Sequence, residues 1–255
     1  RTDRAPEKAT LAMRAAESFA LAGALDDART MFEQAVEAAP THPIPRLGFA
    51  DLLESAGDFE GAAAQLEAAA ELLVTPGWKA EIDYRAGVLR EDKLGDQEKA
   101  RAAFERVFVL DPKNDDVFGR LRKIYVATGA RGELAELLER RLDSVEDPAE
   151  RVEMEVMRGR ALAEVGDAGA AKRALLAALE SNPDHVDALS AFAELSVADE
   201  DYEGAEQALI RLARLTSDAE KQAEIYMRLG DLYDVHITNA DRAEASSQEI
   251  LKRRP

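Results

Sequence analysis

The side chains that most often carry chemistry are few in this chain and poorly spaced for it. The three histidines, His42, His185 and His236, are far apart in sequence, share no metal-ligand spacing, and read as exposed turn residues. There is no cysteine, which removes disulfides, thiolate metal sites and cysteine nucleophiles and leaves the redox compartment open. No phosphate-binding glycine loop, nucleophile elbow or His-Glu-x-x-His motif occurs. Carboxylates are abundant, and Asp199-Glu200-Asp201 could approach a cation, but three adjacent carboxylates in a turn rarely converge on one ion without a dedicated loop. A catalytic pair also needs a pocket that shifts one pKa. The expectation is a protein that is not an enzyme, with no cofactor and no metal.

Charge narrows the partners. Lys and Arg total 33 against 51 Asp and Glu, a net charge of −18. Affinity for phosphate backbones comes from cations that displace counterions, so a nucleic-acid partner is not expected, nor is an anionic membrane surface. No apolar run approaches the roughly 18 residues that a membrane-spanning helix needs. The first residues, RTDRAPEKAT, do not look like a signal peptide. The start without Met and the stop at KRRP suggest a fragment of a longer protein. The cytoplasm is favoured over the periplasm.

What must position any functional side chain is a set of helices. Alanine supplies 49 of 255 residues while aromatics reach 5%, a balance that favours closely packed helices over sheet. The chain also repeats itself. Seven units fall at 9–42, 43–76, 80–114, 115–148, 152–185, 186–219 and 223–255, after a lead-in of residues 1–8. Nearly all are 34 residues long, and the third has one extra. Position 8 reads Ala16, Ala50, Gly87, Arg122, Gly159, Ala193 and Gly230, small in all but one. Position 20 reads Ala28, Ala62, Ala100, Leu134, Ala171, Ala205 and Ala243, one place later in the third and seventh units. Phe32, Leu66, Phe104, Leu138, Leu175 and Leu209 follow one turn on. Pro40, Pro112, Pro183 and Pro255 mark the ends of second helices, because proline lacks a donor N–H and turns its predecessor away from the α region. A longer period of 143 residues maps Asp58-Phe59-Glu60-Gly61-Ala62 onto Asp201-Tyr202-Glu203-Gly204-Ala205. Three-residue spacers, 77–79, 149–151 and 220–222, separate pairs of units.

This pattern resembles the tetratricopeptide repeat (TPR) family. The resemblance implies an all-α fold, a right-handed superhelical solenoid of tandem helix-turn-helix repeats, in which first helices line a concave groove and second helices lie outside. Two departures are Arg122, where a small residue is usual, and the scarcity of aromatics at position 4. The family's two-carboxylate clamp, which uses Lys at position 5 and Asn at position 9, is absent: position 5 holds Met13, Leu47, Tyr84, Gly119, Val156, Ser190 and Met227, and position 9 holds no Asn.

The resemblance places Glu17, Asp51, Glu54, Tyr84, Glu91, Arg120, Lys123, Arg160, Glu194 and Asp231 on or beside the groove. They suggest acidic ends around a basic centre, beside net charges of −7 for 1–76, −2 for 77–148, −8 for 149–219 and −1 for 220–255. Two readings stay open: a groove that steers a protein or peptide with basic flanking segments, or a solvated face. Trp78 is expected to pack in the seam between modules or to anchor a partner. The function expected is an interaction scaffold or adaptor. Compositional likeness to proteins of high-GC bacteria suggests motility, pilus or secretion machines. The alternative is a structural module that self-associates through its repeat ends, since the final helix, Ala243 to Arg254, lacks a polar cap.

Overall fold

The computed structural model describes residues 4–253, which leaves Pro255 and the first residues of the lead-in outside it. The described residues are helical with no strand. They form α1 (Arg4–Leu21), α2 (Leu25–Ala38), α3 (Pro43–Ser55), α4 (Phe59–Leu72), α5 (Pro76–Val88), α6 (Gln97–Leu110), α7 (Asp115–Thr128), α8 (Arg131–Leu142), α9 (Pro148–Val165), α10 (Ala168–Ser181), α11 (Val186–Ala198), α12 (Tyr202–Leu215), α13 (Ala219–Asp231) and α14 (Ala240–Arg253). Contacts divide the chain into two compact units, 1–124 and 125–255, and the division falls within α7.

In the first unit the hairpins α1/α2, α3/α4 and α5/α6 stack, with α2 on α3 and α4 on α5. Their core runs from Ala16 and Phe32 through Phe49, Leu53 and Leu66 to Ile82 and Leu89. In the second unit α8 packs on α9, and the hairpins α9/α10, α11/α12 and α13/α14 follow. The core there centres on Leu175, Phe192, Leu209, Leu229 and Tyr233. The small residues at positions 8 and 20 are where the helices of a hairpin cross. A Cβ added at Gly87 would lie 2.7 Å from the Phe104 ring, and one at Gly159 2.7 Å from Leu175 Cγ.

Many helix starts have a local cause. Asp58, Asp96, Asp167, Asp201 and Asp218 accept backbone N–H bonds as N-caps. His42 and His185 are also N-caps rather than passive turn residues: Nδ1 of His42 accepts from the Ile44 N–H at 3.3 Å and Nδ1 of His185 from the Ala188 N–H at 3.1 Å. The His185 proton therefore sits on Nε2, which donates to Glu153 at 3.0 Å.

The turn inside each hairpin passes through left-handed backbone. Glycine takes that position in five turns, but Glu200 (φ 58°) and Thr238 (φ 53°) occupy it in the other two. The left-handed conformation costs a residue with a Cβ about 1 kcal/mol or more. Glu200→Gly is therefore expected to raise stability by about 1 kcal/mol in urea unfolding, while an unchanged midpoint would contradict that strain.

Three features add to the sequence reading. The spacers 77–79, 149–151 and 220–222 lie in the first turns of α5, α9 and α13. Their last residues stitch modules together: Lys79 donates to the Ala70 carbonyl at 2.7 Å, Arg151 to Leu142 at 2.6 Å and Gln222 to Ala213 at 2.7 Å. The extra residue of the third unit, and the one-place shift of the seventh, are absorbed as π-helical turns at Leu89–Lys93 and Leu232–His236, 143 residues apart. At position 8 of the fourth unit Arg122 stays exposed over the Phe118 ring, and Leu121 turns into the core instead. Trp78, half-buried, packs against the first unit's core.

Candidate functional site

Within each unit the first helices lie side by side, and polar contacts join successive ones. Arg85 of α5 reaches back to Asp51 (2.6 Å) and Glu54 (2.5 Å) of α3. Arg120 of α7 bonds Glu91 and lies 3.6 Å from Asp92, both in the π-turn that ends α5. It also holds Asp116 at 2.8 Å, and the Tyr84 hydroxyl donates to that carboxylate at 2.9 Å. In the second unit Arg160 of α9 meets Asp187 at 3.0 Å, and Arg228 of α13 meets Glu194 at 3.4 Å.

These pairs change what the expected groove charges do. Asp51, Glu54, Tyr84, Glu91, Arg120, Arg160 and Glu194 all lie on the first-helix face, but each is joined to a neighbouring repeat. The expected basic centre is absent around Arg120, which is surrounded by Glu91, Asp92 and Asp116; Lys123 is exposed beside it. Arginine recurs at position 6 in Arg14, Arg85, Arg120 and Arg228, and the last three reach an acid at position 9 or 12 of the preceding unit. That recurrence is the sequence signal for the ladder. It also explains Glu17: the unit that follows has Gly48 at position 6, so Glu17 has no ion-pair partner among the described residues.

Burial and pairing shift several of these groups. Burial alone would raise Asp116, but the Arg120 guanidinium and Tyr84 hydroxyl outweigh it and hold the carboxyl below its ordinary value. The hydrogen bond from Arg90 lowers Glu60, and that from Lys172 lowers Asp201. A depressed carboxylate stabilises the fold above its unfolded value, 3.8 for Asp and 4.5 for Glu here, and loses that contribution as pH falls through the lower folded value. Melting temperature is therefore expected to drop between about pH 5 and pH 3 and to stay nearly level from about pH 6 to pH 8. A level profile down to pH 3 would contradict these pairings.

Clefts interrupt the paired face, among them one of about 240 Å³ lined by Val156, Met157, Arg160 and Asp187. In the first unit a cleft of about 570 Å³ lies over α1 and α3. Ala9, Met13, Ile44 and Pro45 give it apolar walls, and Arg14, Glu17 and His42 give it a polar rim. Thr10, Met13 and Glu17, at positions 2, 5 and 9, all line it. In the second unit a cleft of about 270 Å³ is lined by Val197, Leu209 and Leu232, with Glu194, Arg228, Asp231 and His236 around them. His236 ends the π-turn and stacks on Tyr202 at 4.7 Å. Its counterpart 143 residues earlier, Lys93, lies 5.5 Å over Phe59. The Asp199-Glu200-Asp201 turn holds a lysine, Lys172 lying 3.4 Å from Asp199 and 2.7 Å from Asp201. Among the described residues no group of side chains has the arrangement of a metal site, and no helix is long and apolar enough to cross a membrane.

Stacked helical hairpins of one length, with small residues at the crossings and polar pairs between first helices, define a helical-repeat protein. Sequence models of the tetratricopeptide repeat match residues 19–79, 81–114 and 156–220, well over half of the chain together. The chain belongs to the tetratricopeptide repeat family. Among solved structures it is similar to MamA, with 22% identity over 66% of this chain and 94% of that one and a TM-score of 0.52. The C-terminal part of a TPR repeat-containing protein from Cytophaga hutchinsonii matches 94% of each chain at 15% identity and TM-score 0.52. A structure of Naa15/Naa10 bound to HypK-THB matches 94% of this chain and 39% of that one at 16% identity and TM-score 0.52. At these identities the likeness is one of fold alone. Comparison with curated protein sequences returned no match.

Proposed function

We propose that the chain is a protein-interaction scaffold that holds a partner segment on its first-helix face, anchored chiefly in the cleft over α1 and α3. The observation that carries this reading is the coincidence, at positions 2, 5 and 9 of the first unit, of an apolar-walled cleft and an acidic side chain that no neighbouring repeat neutralises. An apolar partner side chain fits against Met13 and Ile44, and a Lys or Arg beside it fits Glu17. The smaller cleft offers similar chemistry in the second unit through Asp231, since Glu194 is taken by Arg228. Partner chemistry, rather than membership of a motility, pilus or secretion machine, is what these residues define.

A random peptide library selected on the purified chain tests this. Enriched peptides should carry an apolar residue next to a basic one. Their affinity by fluorescence anisotropy should fall about tenfold or more with Glu17→Lys or Met13→Glu, and should weaken as salt rises. Peptides that bind both variants as tightly as the wild type would sink the reading.

One observation favours self-association as a second reading. Position 3 is buried in Ile82 (7% exposed), Met154 (6%) and Ile225 (6%), but Leu11 is 67% exposed. Leu251 is 68% exposed where Phe108, 143 residues earlier, is 3% exposed. A second copy docked through these faces would give a mass that rises with concentration and is held to that of one chain by Leu11→Glu. Wild type with the mass of one chain throughout a concentration series would remove this reading.

A further inference from the structure

Another cleft lies away from the first-helix face, between the second helices α4 and α6, and its floor is a buried carboxylate. Asp83, at position 4 of the third unit, is fully buried. Its Oδ1 accepts from Arg106 Nε at 2.8 Å, and Arg106 Nη2 lies 2.7 Å from the same oxygen. Its Oδ2 has no hydrogen-bond partner, with Lys79 Nζ 3.9 Å away and bonded instead to the Ala70 carbonyl. A buried acceptor left unpaired is costly, so such an atom points to a donor that completes it. Above Asp83 is a space of about 300 Å³, walled by Glu67 and Glu71 of α4 and by Lys99, Ala102 and Arg106 of α6.

The 143-residue period supplies an internal comparison. The counterpart of Asp83 is Tyr226, so a large ring stands where the third unit has a short carboxylate. Over that ring the chain places its own ion pair: the Arg253 guanidinium lies 4.6 Å above Tyr226 and 2.5 Å from Glu249, the counterpart of Arg106. Arg253 also bonds Gln222, the counterpart of Lys79. One repeat thus fills this place with a positive and a negative group, and the other leaves it open.

The open cleft offers both signs. Asp83 Oδ2 and Glu71 are its spare acceptors, since Glu67 is taken by Arg90. Its spare donors are on Lys79 and Lys99, the latter only loosely shared between Glu60 and Asp96 at 3.7 Å. We propose that this cleft binds a small zwitterion of the amino-acid class, its ammonium on Asp83 Oδ2 and its carboxylate between Lys79 and Lys99. The site is independent of the partner face, so either can fail without the other.

The test is a titration of the isotope-labelled chain followed by amide NMR, with glycine, β-alanine and 4-aminobutanoate as probes. Propylammonium, propionate and glycine betaine, which lacks N–H donors, serve as controls. Saturable shifts around Lys79–Arg85 and Lys99–Arg106 are expected below about 20 mM for at least one zwitterion and for none of the controls. Asp83→Asn should weaken binding about tenfold. Ala102→Leu, which fills the cleft and leaves the Asp83–Arg106 pair intact, should abolish it. No saturable shift would mean that water alone completes Asp83. Equal shifts with propylammonium, or binding that survives Ala102→Leu, would equally overturn the proposal.

Discussion

Phe104→Ala is expected to lower the unfolding free energy by about 4 kcal/mol, among the largest losses available to a single substitution here. The side chain is fully buried, and its ring fills the space that the missing Cβ of Gly87 leaves at the α5/α6 crossing. Cavity formation adds to the lost transfer energy because two helices held by other contacts cannot close fully over the void. The Tyr84 ring lies 6.2 Å from Phe104 and the Arg120 guanidinium 5.6 Å, so the loss should also loosen the polar clamp on the first-helix face. The reciprocal change, Gly87→Leu, overpacks the same contact and should cost about 1–3 kcal/mol. Combined with Phe104→Ala it should cost less than the sum of the two, because each relieves the other. Additive losses in urea unfolding would show that these residues do not share one space.

The second large effect is expected at Arg90, which the π-turn directs into the interior. It is 1% exposed and bonds Glu60 at 2.6 Å and Glu67 at 2.8 Å. Both bonds hold the guanidinium more firmly protonated than an ordinary arginine. Arg90→Ala leaves a void and two acids without their partner, for a loss of about 3 kcal/mol. Glu60 and Glu67 are partly exposed and recover some hydration, which keeps the figure at the lower end of the range for buried pairs. Arg85→Ala breaks as many ion pairs, but Arg85 is 37% exposed, and its loss should stay within about 1 kcal/mol. Similar losses for the two arginines would mean that burial does not separate them.

The fold was legible because repetition amplifies weak local signals. Ala28, Ala62, Ala171 and Ala205 mean little singly, but at one offset in successive units they mark helix crossings. The one-residue excess of the third unit was legible as a number, while its physical form, a π-turn that buries Arg90, was not. Arg122 was legible as a departure from the repeat, but position alone cannot show that α7 turns Leu121 inward. The first helices were legible in outline from the repeat register. What the register hid is pairing: whether Asp51 or Glu194 is spare depends on an arginine more than thirty residues further on. Asp83 was not singled out, since an acid at position 4 shows its importance only once the missing aromatic leaves a cleft.

The central claim is that a partner segment lies on the first-helix face of α1 and α3. Its most direct test is hydrogen exchange of the chain with and without a selected peptide at saturating concentration. Slower exchange over residues 9–17 and 43–47, with α4 and α6 unchanged, is the result expected. Protection confined to the second helices, or none despite measured binding, would contradict it.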